Sequence, residues 1–256
     1  MNEIRLRGLP AFDDNYLWLM SLGRQAVVVD PGDAAPVLVA LEAGGLKLQA
    51  VLLTHHHADH VGGVAELVER HPAPVYGPAA EEIPLVTRPL KDGDRLAPFD
   101  GHPGFRVLAV PGHTRGHIAY YDGERLFCGD TLFPCGCGRV FEGTMAQMHA
   151  SLARLAALPP ATWLYCAHEY SLANARFALA VEPGNRALQA RQRWMAAQRE
   201  AGLPTVPSLL QDELDTNPFL RCTSTAIRER VAARSGCMPA DEVETFAQLR
   251  EWKNVF

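Results

Sequence analysis

Four histidines and an aspartate crowd into Thr54-His55-His56-His57-Ala58-Asp59-His60, in a chain that has ten histidines among 256 residues. Imidazole nitrogens and carboxylate oxygens at this density are the donor set of zinc or a similar divalent ion. The flanking residues sharpen that reading. The short apolar run at 50–53 predicts a buried strand, and the pattern at 61–70 predicts the helix that follows the cluster. On extended backbone, side chains two apart leave on the same side. His55 and His57 can therefore aim at one ion, while His56 turns away as a supporting residue. Asp59 and His60 fall at the helix start, where the helix dipole favours a carboxylate, and face a neighbouring point.

Four ligands on one segment cannot complete two coordination spheres, so further donors must come from elsewhere. Three candidates sit directly after predicted strands. His113 lies in Pro111-Gly112-His113-Thr114-Arg115-Gly116-His117, after a strand at 106–110. Asp130 lies in Cys128-Gly129-Asp130-Thr131, after a strand at 125–128. His168 lies in Cys166-Ala167-His168-Glu169-Tyr170, after a strand at 163–166. Strand ends deliver side chains to a shared edge from rigid supports. His117 competes with His113, but its place at the start of the next predicted strand favours His113 as the ligand. His71, His102 and His149 have no ligand context and are expected to be exposed or locally bonded.

The elements that must position these groups follow from pattern. Strands are predicted at 16–20 and 26–30, joined by the turn Ser21-Leu22-Gly23-Arg24. A helix at 35–43 stops at Gly44-Gly45. Further strands are predicted at 74–76 and 118–121, and a helix at 145–157 ends at Pro159-Pro160. Beyond residue 168 the β signal disappears, and 172–181, 186–201, 224–234 and 241–251 read as helices. The expectation is a layered α/β domain over residues 1–168, followed by a smaller, mostly helical domain over 169–256.

Composition narrows the partners. Hydrophobic residues make up 48%, enough for a sizeable core, and 24 basic against 29 acidic residues give a net charge of −5. There is no basic surplus to favour nucleic acid. The opening MNEIRLRGLP lacks the basic and apolar regions of a secretory signal. No apolar run approaches the roughly 20 residues of a membrane span, so the cytoplasm is the expected location. In that compartment Cys128, Cys135, Cys137, Cys166, Cys222 and Cys237 are expected to be free thiols.

Taken together, T-H-H-H-A-D-H, P-G-H-T, G-D-T and the late A-H-E-Y resemble the metallo-β-lactamase superfamily. Three further motifs narrow the likeness: Pro10-Ala11-Phe12-Asp13-Asp14-Asn15-Tyr16, Cys137-Gly138-Arg139-Val140-Phe141-Glu142-Gly143-Thr144 and Asn217-Pro218-Phe219-Leu220-Arg221. With these the chain resembles bacterial glyoxalase II, the hydroxyacylglutathione hydrolases, from about residue 8 to the C-terminus. The resemblance implies a four-layer αββα sandwich followed by a helical domain. It implies two divalent ions, zinc first, with iron or manganese as alternatives. His55, His57 and His113 would hold one ion, Asp59, His60 and His168 the other, and Asp130 would bridge them, with a hydroxide between the metals that Asp59 orients. It implies hydrolysis of S-D-lactoylglutathione to D-lactate and glutathione by a monomer. The anionic glutathione would be met by Arg139, Tyr170, Arg250 and Lys253, and by the backbone at Phe141.

The chain departs from the family at Phe141, where some members have tyrosine, at Asn254, where aspartate is common, and at Arg139, which replaces a lysine. Competing readings are a one-iron persulfide dioxygenase, a β-lactamase or lactonase, and a non-catalytic metal-binding or RNA-processing module. His60, His168 and the helical tail oppose the first, the tail's basic pair opposes the second, and the acidic balance with a complete ligand set opposes the last.

Overall fold

The computed structural model describes residues 3–256; the first two residues of the N-terminal stretch read above lie outside them. Aliphatic runs build an antiparallel meander of β1 (Arg5–Ala11), β2 (Asn15–Leu22) and β3 (Gln25–Val29). The chain then crosses through α1 (Ala34–Gly44) into β4 (Lys47–Leu52), which lies parallel to β3. Asp33 caps α1 by accepting from Ala35 N, and Gly45 ends it in the left-handed region. Two short helices, α2 (Ala58–Val61) and α3 (Val64–Arg70), lead to the parallel strands β5 (Val75–Pro78) and β6 (Arg88–Leu90). The six strands run in the order β1-β2-β3-β4-β5-β6. Val28, Val51 and Leu53 of the sheet pack with Val37, Leu41 and Leu67 of the helices, each such side chain contributing about 1.5–3 kcal/mol by leaving water.

A second antiparallel set follows: β7 (Arg95–Leu96), β8 (Phe105–Ala109), β9 (Ile118–Tyr121) and β10 (Arg125–Gly129). The fully buried Tyr120 donates its hydroxyl to Leu53 O at 2.8 Å, tying this set to the end of β4. These elements make one compact unit, which runs to Ala109 and adds Arg115–Gly129. The other unit takes Val110–Thr114 and Asp130–Phe256.

The second unit starts its elements with a tight hairpin, β11 (Leu132–Phe133) and β12 (Gly136–Cys137). Then come α4 (Met145–Ala156), opened by a Thr144–Gln147 capping box, β13 (Trp163–Cys166), α5 (Ser171–Val181) and α6 (Arg186–Glu200). β14 (Ser208–Leu209) pairs antiparallel with β13, and α7 (Leu210–Thr216), a 3₁₀ turn at Pro218–Leu220, α8 (Thr225–Ser235) and α9 (Glu242–Asn254) complete it.

Besides β6, β7, β11, β12 and α7, which fall where no element was expected, three departures stand out. β1 has Gly8 and Pro10 in its run, which weaken a strand signal, yet it pairs along its length with β2 at the sheet edge. β14 adds two strand residues where only helices were expected. The helix predicted at 61–70 is interrupted at Gly62-Gly63, and position 63 must be glycine, because a Cβ there would lie 2.4 Å from Ala34 N. The chain needs that close approach to seat α2 against the 31–34 segment.

Candidate metal centre and anion-binding cleft

In the first unit, β3 and β4 end side by side, with Val29 opposite Leu52. Asp30, just past β3, takes a left-handed φ of 51°. Its buried carboxylate accepts from Thr54 N at 2.7 Å and from Thr54 Oγ1 at 2.8 Å, and lies 3.1 Å from His60 Nδ1. One residue thus fixes both the entry to the histidine segment and its last imidazole. Because Thr54 gives its hydroxyl proton to Asp30, it accepts from His55 Nδ1–H at 3.0 Å. That leaves the lone pair on His55 Nε2, 3.1 Å from His57 Nδ1. The two nitrogens converge as the alternation predicts. His56 turns the other way, to Glu81 at 2.9 Å, and Glu81 also accepts from Gly116 N. Asp59 lies 3.5 Å from His60 Nε2 and is held by Asn15 Nδ2 at 3.1 Å. His117 is buried with its ring stacked on His55, centroids 4.7 Å apart.

The second unit gathers the other three predicted ligands. His113 Nδ1 faces Arg139 O at 2.8 Å; a carbonyl only accepts, so Nδ1 carries the proton and Nε2 the lone pair. That Nε2 lies 3.3 Å from Asp130 Oδ2, and His168 Nε2 lies 3.3 Å from Asp130 Oδ1. One carboxylate is spread over two imidazoles. The close packing here requires Gly138, where a Cβ would fall 1.9 Å from Asp130 O. His168 stacks on Tyr170 with rings 2° from parallel.

His113 and Asp130 form one end of a cleft of about 480 Å³, which also receives Arg139, Phe141, Tyr170, Arg250 and Lys253. All five residues expected to meet an anionic ligand therefore share a wall with His113 and Asp130. Arg250 is only 3% exposed and donates to Cys137 O at 2.8 Å, with its guanidinium over the Phe219 ring. Lys253 donates to Ala173 O at 3.1 Å. Among the described residues neither cation has a carboxylate partner. Burial, then the nearby Arg250, Arg176 and Arg139, push the Lys253 ammonium down to about 8.

Comparison with known proteins gives the family. The model of the metallo-beta-lactamase superfamily matches residues 12–168, and the model of the hydroxyacylglutathione hydrolase C-terminus matches residues 169–256. The hydroxyacylglutathione hydrolase of Dechloromonas aromatica is 54% identical, over 97% of this chain and 98% of its own. That of Alkalilimnicola ehrlichii is 55% identical, over 96% and 97%. The chain belongs to the hydroxyacylglutathione hydrolase family of the metallo-β-lactamase superfamily. Among solved structures, TTHA1623 in a di-iron-bound form is 32% identical with a TM-score of 0.59, covering 84% of this chain and 100% of that one. BLEG-1 B3 metallo-beta-lactamase, at 23% identity and a TM-score of 0.62 over 86% and 100%, shares the fold. The expected metallo-β-lactamase fold with a helical C-terminal region is the observed one.

Two residues that contact the candidate ligands Asp59 and His60 were not singled out from sequence. Asp30 reads as the last residue of a strand, and Asn15 as part of a resemblance motif without a role. Each gains its partner only through the sheet. The six cysteines are free, as expected, and all but Cys237 are buried.

Proposed function

We propose that this chain is a two-metal thioester hydrolase that cleaves S-D-lactoylglutathione and other S-2-hydroxyacylglutathiones to the 2-hydroxy acid and glutathione, the second step of methylglyoxal detoxification. The names of its relatives support the activity, and they do not favour the dioxygenase and lactonase alternatives. The observation that carries the substrate class is the pair Arg250 and Lys253, sunk in the cleft beside His113 and Asp130 without an anion of their own. Holding cations out of water is costly unless an anion meets them. A glutathione carboxylate supplies that anion.

The donor set fits divalent ions. Second-sphere bonds fix lone pairs on His55 Nε2 and His113 Nε2, and the split Asp130 carboxylate suits a bridging ligand. In this reading His55, His57 and His113 would hold one ion and Asp59, His60 and His168 the other, with Asp130 as the ligand they would share. Zinc is the first choice, with iron and manganese also suited to imidazole and carboxylate. When bound, two such ions bring the pKa of a water toward 7 and polarise a carbonyl. The chain's own groups do the rest. Asp59, steadied by Asn15, orients the attacking water and holds its proton. Arg139, Tyr170, Arg250 and Lys253 bind glutathione and align the thioester, whereas the Phe141 backbone N–H expected to join them donates to His113 O at 3.3 Å. The leaving thiolate needs no acid, since a thiol of pKa near 8.5 departs readily at neutral pH. We place residues 1–168 as the catalytic domain and 169–256 as the domain that adds glutathione contacts. The molecule is read as a cytoplasmic monomer with neither nucleic acid nor membrane as partner. Its free thiols suit a reducing compartment, and among the described residues no helix is long and apolar enough to cross a membrane.

The direct test follows loss of thioester absorbance from S-D-lactoylglutathione with and without chelator. Absence of metal-dependent turnover would sink the reading. Two further outcomes are expected. Asp30→Ala removes the group beside His60 Nδ1 and should weaken metal binding roughly 10–100-fold, read by competition with a chelating dye. The Lys253 ammonium is charged below about 8 and lost above it. Accordingly kcat/KM should fall as pH rises past that value, and Lys253→Arg, which keeps its charge, should flatten the fall.

A further inference from the structure

Glu213 and Asn217 stand outside the reaction just described, yet they are wholly buried and heavily bonded. Glu213 Oε1 accepts from Arg191 and from Ser208 Oγ at 3.0 Å. Its Oε2 accepts from Cys135 N at 2.8 Å and from Asn217 Nδ2 at 3.1 Å. The same Asn217 amide donates to Phe133 O at 3.1 Å and Gly136 O at 2.9 Å, while its oxygen accepts from Phe219 N. The end of α7 therefore grips the β11–β12 hairpin at a carbonyl on each strand and at the turn amide between them. The turn needs holding, because Cys135 carries a left-handed φ of 55° that non-glycine residues avoid.

The hairpin in turn shapes the cleft. Cys137 O is the acceptor for Arg250 Nη1 at 2.8 Å. Phe133 packs edge-on against Tyr170, with ring centroids 5.3 Å apart. A hairpin that drifts would move the anchor of the guanidinium and the support of the stacking ring together. A buried ion pair such as Arg191–Glu213 is weak evidence of stabilisation, since apolar side chains of similar volume often serve as well. A carboxylate with four donors fixes positions instead.

We propose that Glu213 and Asn217 are positioning residues for substrate binding: they clamp the β11–β12 hairpin so that Cys137 O and Phe133 hold Arg250 and Tyr170 in register for the glutathione moiety. This rests on the glutathione-thioester reading above.

The test compares Asn217→Ala with Asn217→Ser in the full chain. Serine can still cap Phe219 N but cannot span two carbonyls, and it carries the test alone if alanine does not fold. Three quantities are read: amide hydrogen exchange over residues 133–137, calorimetric binding of S-methylglutathione, and KM and kcat for S-D-lactoylglutathione. Exchange in the hairpin should speed up by about tenfold or more. The Kd and KM should rise by about tenfold, the worth of roughly one net hydrogen bond, with kcat within about twofold. Wild-type exchange in the hairpin overturns the proposal, as does wild-type KM in the serine variant. So does a fall in kcat that accompanies faster exchange throughout the chain, which would mark general loosening. If the unmutated protein neither binds the conjugate nor turns over the thioester, the function reading fails instead, and the exchange measurement still decides whether the clamp exists.

Discussion

Asp130→Asn is expected to lower kcat for S-D-lactoylglutathione by roughly 10³ or more, the scale of losing a preorganised charge at a reacting centre. The substitution keeps the volume and planarity of the side chain but removes one of two equivalent oxygens. In the native protein those oxygens lie 3.3 Å from His113 Nε2 and 3.3 Å from His168 Nε2. With an amide, one imidazole lone pair meets an N–H₂ donor in place of a negative oxygen. That arrangement is a satisfied hydrogen bond and a poor bridge between two cations. The variant should therefore fold, with a thermal midpoint close to the unmutated protein, while bound metal per chain falls below two. Elemental analysis of the purified variant beside its rate separates the cases. Full metal content together with more than a tenth of the original rate would show that Asp130 does not bridge.

The legible part of this site is the part that local geometry decides. His55 and His57 converge because two-residue spacing on extended backbone has one outcome, and the turned-away His56 follows from the same rule. His113, Asp130 and His168 could be nominated because each follows an apolar run that reads as a strand. What spacing could not supply was partnership. Asp30 bonds to Thr54 and approaches His60 only because β3 and β4 lie parallel and adjacent, and no period in the sequence encodes that pairing. Glu213 looks like a solvated helix carboxylate in Leu210-Gln211-Asp212-Glu213-Leu214, but it is fully buried against Cys135 N and Arg191. The fold shows the same division. Helices with clear caps, such as α1 and α4, were found close to their ends. The two-residue β14 and the seven-residue α7 are too short to carry a period, and β1 hides behind its Gly and Pro.

Arg250 and Lys253 are the least legible of the candidate residues, since their spacing alone describes any charged helix end. Replacing both with alanine is expected to raise KM for S-D-lactoylglutathione by roughly 10² or more, as two charge-assisted hydrogen bonds of about 1.5–3 kcal/mol each are lost. The expectation stands on burial. Arg250 has the Phe219 ring on one face and Cys137 O at 2.8 Å, and Lys253 sits over the Phe177 ring with Ala173 O at 3.1 Å. Among the described residues each cation meets a ring and a carbonyl, and no carboxylate pairs with either. Removing the two side chains also strips their packing from Phe219 and Phe177 and leaves Cys137 O and Ala173 O without these donors, so a modest loss of stability is expected beside the loss of binding. The discriminating measurement runs S-D-lactoylglutathione beside a small neutral thioester such as S-ethyl thioacetate. The neutral substrate has no carboxylate to lose, and its kcat/KM should move by no more than about twofold. Equal losses on both substrates would show that the pair serves the shape of the cleft and does not read glutathione.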